Sequence, residues 1–159
     1  MPENITYFPD HLLCKGKSLQ TGQWVTGYFL QIQKAKELHT YIVVNEIISP
    51  ELPAKQNKIE VDPESVCRHT GYCKNGVDVW ENDRIKYHFG KNVGVIRFGE
   101  YQNCFDSQTA RHDGFYVDWG ENDMLRKDLG YWIAALDEED NVVSTDKNET
   151  FVKGEDNNE

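Results

Sequence analysis

Apolar residues along this chain recur at short spacing near period two, the pattern of strands with one buried face, and long helical periodicity is missing. The stretches QWVTGYFLQIQ and TYIVVNEII predict two strands joined as a hairpin across Lys34 to His39, with KAKEL rich enough in helix formers to allow one helical turn there. In SPELPAKQNKIEVDPESV, Pro50, Pro53 and Pro63 forbid a long element and predict a loop with a brief strand at Ile59 to Val61. Asp62-Pro63-Glu64-Ser65 predicts a turn or a single helical turn, because the φ of Pro63 is already set for one.

The strand signal strengthens in VDVWENDRIKYHFGKNVGVIRFGEY. Ile85, Tyr87 and Phe89 alternate with Arg84, Lys86 and His88, a turn falls at Gly90-Lys91-Asn92, and Ile96 and Phe98 then oppose Val95 and Arg97. Further strands are expected at GFYVDW and GYWIAAL. Several short strands with few helical stretches predict an all-β protein, and a small barrel would cover its strand edges economically. The polar, turn-rich segments YQNCFDSQTARHDG and GENDMLRKDL are loops of the kind that carry function.

Composition narrows this picture. A chain of 159 residues suits one domain with a small appended lobe. Aromatic residues at 12% supply large apolar area for a β-rich core. No apolar run reaches the length of a membrane span and the N-terminus shows no basic leader, so a cytoplasmic location and no membrane partner are expected. The four cysteines, Cys14, Cys67, Cys73 and Cys104, are too sparse for a disulfide framework and read as reduced thiols.

The net charge of -10 is uneven. Residues 137–159 carry nine acidic and two basic side chains, whereas residues 68–101 carry four acidic and six basic. The acidic end has little to bury and is expected to be disordered. A modest basic excess with Trp80, Tyr87 and Tyr101 nearby raises a nucleic-acid reading on Arg84, Lys86, Lys91 and Arg97. It is not favoured, because the aromatics alternate with the cations and so face the core, and the excess is small for phosphate neutralisation.

Cys67, His69 and Cys73 in SVCRHTGYCKNG raise a metal site, yet the cysteine spacing is wide for zinc and a fourth ligand would have to come from elsewhere. Buried thiols beside two turns are the better reading, with no metal and no cofactor. Glu81 and Asp83 could bind a cation or act as acid and base, but carboxylates at turns more often accept backbone N–H bonds. Asn82 between them suits a position with positive φ. Nothing in the sequence places Cys104 beside His112, no catalytic motif is present, and no enzyme activity is expected.

IEVDPESVCRHTGYCKNGVDVWENDRIKY resembles the signature of the YopX-like family of phage and prophage proteins. Asp62 and Pro63 open it, Thr70-Gly71 and Asn75-Gly76 follow, and Glu81 and Asp83 lead into a strand. KGKSLQTGQWVTGYFL resembles the same family's N-terminal stretch. The likeness covers roughly residues 12–100, with His69 in place of the usual aromatic and Asn82 in place of the usual glycine. It implies an N-terminal β-rich lobe that mediates self-association (residues 1–62) and a C-terminal barrel similar to SH3 barrels (63–145), beyond which the acidic composition sets off a disordered tail (146–159). It implies no activity.

Together these readings lead to a non-enzymatic protein-interaction module of a phage or prophage, in the cytoplasm of a bacterial host. It is expected to form a homo-oligomer and to engage a phage or host protein. Trp24, Tyr28, Phe29 and Tyr41 are the expected self-association residues, because they offer more apolar area than a two-stranded hairpin buries alone.

Overall fold

The computed structural model describes residues 13–46, 55–74, 76–87, 91–135 and 142–143. Asn75, His88, Phe89, Gly90 and the acidic tail lie outside them. The chain divides into two compact units, Met1–Gly71 and Tyr72–Glu159. The architecture is mostly β, with antiparallel pairing throughout the recorded registers.

In the first unit, β1 (Leu13–Lys17), β2 (Trp24–Lys34), β3 (Glu37–Glu46), β4 (Lys55–Glu60) and the start of β5 (Cys67–Lys74) lie in the order β4-β3-β2-β1-β5. The turn from β1 to β2 is organised by Ser18, whose buried hydroxyl accepts from the N–H groups of Gln20 and Thr21. The turn from β2 to β3 is tighter than the sequence suggests. Lys34 pairs with Glu37, and Ala35 and Lys36 make a two-residue turn with Ala35 at φ 53. KAKEL therefore holds no helical turn.

Asp62, Pro63 and Ser65 behave as their types predict. A short 3-10 turn runs over Pro63–Ser65, and the Asp62 side chain caps it by accepting from the Glu64 N–H at 3.0 Å. Ser65 Oγ donates to Asp62 O at 2.6 Å and accepts from the Lys17 N–H at 2.7 Å, which fastens the turn to the end of β1. The small core of this unit is Cys14, Ile42 and Val61, with Val25, Val44 and Val66 packed against it. Gly27 is required where β2 meets β3, since a Cβ there would lie 2.2 Å from the Val43 carbonyl oxygen.

In the second unit, the last residues of β5 neighbour β6 (Val77–Trp80), and β7 (Arg84–Tyr87), β8 (Asn92–Tyr101), β9 (His112–Asp118) and β10 (Val142–Val143) form a sheet in the order β10-β7-β8-β9. The expected alternation holds at Ile85 and Ile96, wholly buried while Arg84 and Lys86 are half-buried, but Phe98, expected on the same inner face as Ile96, is 47% exposed. GFYVDW is a strand as expected. GYWIAAL is not. Leu129–Ala135 is a helix, α1, and Leu129, Trp132 and Ile133 are its buried residues. Their spacing of three and four is helical, and it outweighs an apolar run too short to distinguish the two periods.

The core joins Val79, Ile85, Ile96 and Val117 to Trp119, Leu129, Trp132 and Ile133. Trp119 and Trp132 meet edge to face at 4.9 Å, and both indole N–H groups donate to the Arg126 carbonyl, at 2.9 and 2.5 Å. Buried indoles need such a partner, and here one carbonyl serves two. Among the described residues the sheet does not close into a barrel.

Candidate functional site

Of the described signature residues, Asp62, Pro63, Gly76, Glu81 and Asp83 lie in or beside turns, whereas Thr70 and Gly71, expected to form a turn, lie within β5. Thr70 is buried on β5, Gly71 has φ 84, and its N–H donates to His69 Nδ1 at 2.9 Å. Gly76 has φ 78, and Asn75 lies outside the described residues. Trp80 to Asp83 form a turn in which Asn82 has φ 70, and Asp83 Oδ2 accepts from the Trp80 N–H at 2.8 Å. Asp83 is buried and Glu81 half-buried, which suits a carboxylate fixing the entry to β7.

Cys67 and His69 are buried on β5, and Cys73 is exposed. Cys67 Sγ donates to the Ser65 carbonyl at 3.3 Å. Among the described residues no group of three or more His, Cys, Asp and Glu side chains is arranged to hold a metal ion. Cys104 is exposed with its Sγ 3.9 Å from the Met124 carbonyl, while His112 Nε2 is paired with Asp106 Oδ2 at 2.9 Å.

The second unit carries a cleft of about 510 Å³ that no single sequence motif marked. Strands β8 and β9 supply Tyr101 and Tyr116, whose rings stack at 5.2 Å, with His112 stacked on the other tyrosine, Tyr101, at 5.0 Å. The loops around them are locked by polar bonds. Tyr101 donates its hydroxyl to Asp128 Oδ1 at 2.8 Å, and Asn103 Nδ2 and Arg126 Nε reach Asp128 Oδ2 at 3.2 and 2.5 Å. Asn103, itself buried, also accepts from the Lys127 N–H at 2.7 Å through Oδ1.

These contacts set the titration of the group. Burial raises the Asp128 carboxyl, but the hydrogen bonds from Tyr101 and Arg126 outweigh it and leave the pKa lowered. Burial first, and the bond to Asp128 second, push the Tyr101 phenol up to about 12. The Asn103 backbone N–H is the main cause that holds Asp106 low. A carboxylate engaged by three donors is a brace for the loops, because its lone pairs are already committed. The charged groups at the cleft also meet opposite partners, Arg111 with Glu100 at 3.5 Å and Lys127 with Asp123 at 3.7 Å.

Of the expected self-association residues, Trp24 and Tyr28 are half-buried and Phe29 is exposed. Tyr41 is only 5% exposed, covered by Lys34 and Lys58 with their ammonium groups 5.3 and 5.0 Å from its ring centroid. The register separates the four. Tyr28 pairs with Val43 and Leu30 with Tyr41 on one face of the β2–β3 hairpin, whereas Phe29 pairs with Ile42 on the other. Arg84, Lys86 and Arg97 share a face of the second unit's sheet, and Lys91 sits in the turn before β8. Arg97 is engaged there, with Asp118 at 3.8 Å and Asn82 Oδ1 at 3.3 Å.

No helix among the described residues is long and apolar enough to cross a membrane. Compared with protein-family models, with curated proteins and with solved structures, the chain matches none of them.

Proposed function

We propose that this chain is a non-enzymatic protein-interaction module that self-associates through the β2–β3 hairpin. The observation that carries the reading is on the face that holds Ile42. Toward the hairpin tip that face continues beyond the core and presents Phe29 and Leu38, 45% and 56% exposed. A two-stranded tip that exposes Phe29 and Leu38 beside Gln31, Gln33 and Thr40 gains stability when a second copy covers the apolar side chains. The YopX-like resemblance supports the same reading. It adds three finer elements to the proposal: a phage or prophage accessory role in a bacterial cytoplasm, an SH3-like barrel in the C-terminal part, and a phage or host protein as further partner.

Sedimentation equilibrium on the full chain and on Phe29→Glu and Phe29→Glu/Leu38→Glu variants tests it. Burying a Phe or Leu side chain contributes about 1.5–3 kcal/mol. The single variant should therefore weaken dimerisation by about 10-fold or more, and the double variant should be monomeric. A wild-type chain that is monomeric at high concentration, or an oligomer indifferent to both substitutions, would overturn the reading.

A further inference from the structure

The opposite face of the same sheet carries different chemistry. The registers place Lys15, Lys17, Trp24, Tyr28, Leu30, Lys34, Tyr41 and Lys58 on one side of β1–β4, across from the side that buries Cys14 and Ile42. Four lysines share this face with two acids, Glu37 and Glu60. Glu60 is in turn bonded to His39 at 2.5 Å. In a chain of net charge -10, this face carries a local excess of two cations, gathered around two aromatic rings.

The lysines are arranged by aromatic rings. Lys15 and Lys17 hold their ammonium groups 4.6 and 5.2 Å from the centroid of the Trp24 ring. Lys34 and Lys58 flank Tyr41, and Lys34 Nζ donates to the Tyr41 hydroxyl at 2.7 Å. A ring attracts a cation without cancelling its charge, so these contacts set ammonium groups beside flat apolar surface without neutralising them. Lys15 and Lys17 are two residues apart on one strand, or roughly 6.6 Å along it. Lys15 lies opposite Thr26 and Lys17 opposite Trp24, and the adjoining row runs from Leu13 through Tyr28 and Val43 to Lys58 across the sheet.

We propose that this face binds single-stranded nucleic acid, with Lys15, Lys17, Lys34 and Lys58 against the phosphates and Trp24 and Tyr28 stacked on bases. The complementarity is in the alternation. A single strand presents anionic groups interleaved with flat rings, and the sheet presents cations interleaved with aromatic side chains. A duplex hides its bases in the stack, and an acidic peptide has charge but no ring for Trp24. The proposal does not rest on self-association, which uses the other face.

Fluorescence anisotropy of the full chain with a labelled mixed-sequence single strand, its duplex and polyglutamate, over a salt series, decides the matter. Expected is binding to the single strand well above that to the other two, with log K falling linearly in log salt. Lys15→Gln/Lys17→Gln should reduce that slope by about 0.7 for each lysine removed. Trp24→Leu should weaken binding by about 5-fold or more at unchanged slope, from a stacking contribution of about 1–3 kcal/mol, and Trp24→Phe should restore part of it. Phe29→Glu/Leu38→Glu should bind the single strand as the wild type does. No binding at low salt, equal binding of duplex or polyglutamate, or an affinity unmoved by the lysine pair would overturn the proposal.

Discussion

Replacing Gly94 by alanine sets two physical effects against each other, and the structure says which wins. Glycine inside a strand is unfavourable relative to alanine by about 0.5–1 kcal/mol, so propensity alone predicts a more stable protein. Packing predicts the reverse. A Cβ on Gly94 would lie 2.3 Å from Val117 Cγ1 and 2.9 Å from Trp119 Cε3. Carbon atoms rest at about 3.5–4.0 Å, so one of the neighbours must retreat by more than roughly 1 Å. Val117 is wholly buried, and Trp119 is held by its bond to the Arg126 carbonyl at 2.9 Å and by Trp132 at 4.9 Å. Neither can move without disturbing the core. Overpacking of this kind costs about 1–3 kcal/mol or more, which leaves a net loss of about 1–2 kcal/mol after the propensity gain.

Urea unfolding followed by tryptophan fluorescence measures this directly, since Trp80, Trp119 and Trp132 report on the second unit. With a slope of about 1–3 kcal/mol/M, the midpoint should fall by about 1 M. Val117→Ala removes the atom that clashes, so in the double variant the two losses should be less than additive, with a coupling of about 1–2 kcal/mol. A Gly94→Ala protein as stable as the wild type, or strict additivity with Val117→Ala, would refute the packing argument.

Three further outcomes follow from the second unit and the thiols. Because the Asp128 pKa is lowered in the folded chain from an ordinary 3.8, its contribution to stability is full above that value and is lost as pH falls through the folded pKa; Asp128→Asn should flatten the acid limb of the stability profile, and an unchanged limb would discount the brace. The Tyr101 phenol, raised from 10.0 to about 12, contributes fully below the first value and loses its effect as pH rises through the second. Tyr101→Phe should therefore remove a phenolate step at about pH 12 from an ultraviolet titration. Cys73 and Cys104 are exposed while Cys14 and Cys67 are buried, so a thiol reagent should label two cysteines in the native chain and all four after denaturation; rapid native labelling of Cys14 or Cys67 would contradict the core of the first unit.

Local chemistry was readable and long-range pairing was not. Asp62, Pro63 and Asn82 could be placed from their residue types because a turn is decided within four residues. The alternation around Ile85 and Tyr87 told which side chains face inward because period two belongs to a single strand. Helix α1 was missed because one short apolar run fits both periods, and only Asp128 and the tryptophan contacts in space select the helix. The brace of Tyr101, Asn103 and Asp128 joins residues up to 27 positions apart. Within the sequence those are unremarkable polar residues in two loops, and the only available signal was that the loops were polar at all.

The cationic face shows the same limit from another side. Alternation within β1 sets Lys15 and Lys17 on one side, and alternation within β2 sets Trp24 and Tyr28 on one side, but only the register decides that the two sides are the same. Lys17 opposite Trp24 joins cation to ring, and a slip of one residue would set Lys17 opposite Val25 and Lys15 opposite Gly27 and send the tryptophan to the other face. Counting charge by segment cannot detect this, because residues 1–67 hold eight acids against six bases and read as mildly acidic. The count instead favoured residues 68–101, where Arg97 faces Asp118 across the strands. The proposed nucleic-acid surface lies on the segment whose net charge argues against it, because a ligand meets the side chains on one face and never the average over a stretch of chain.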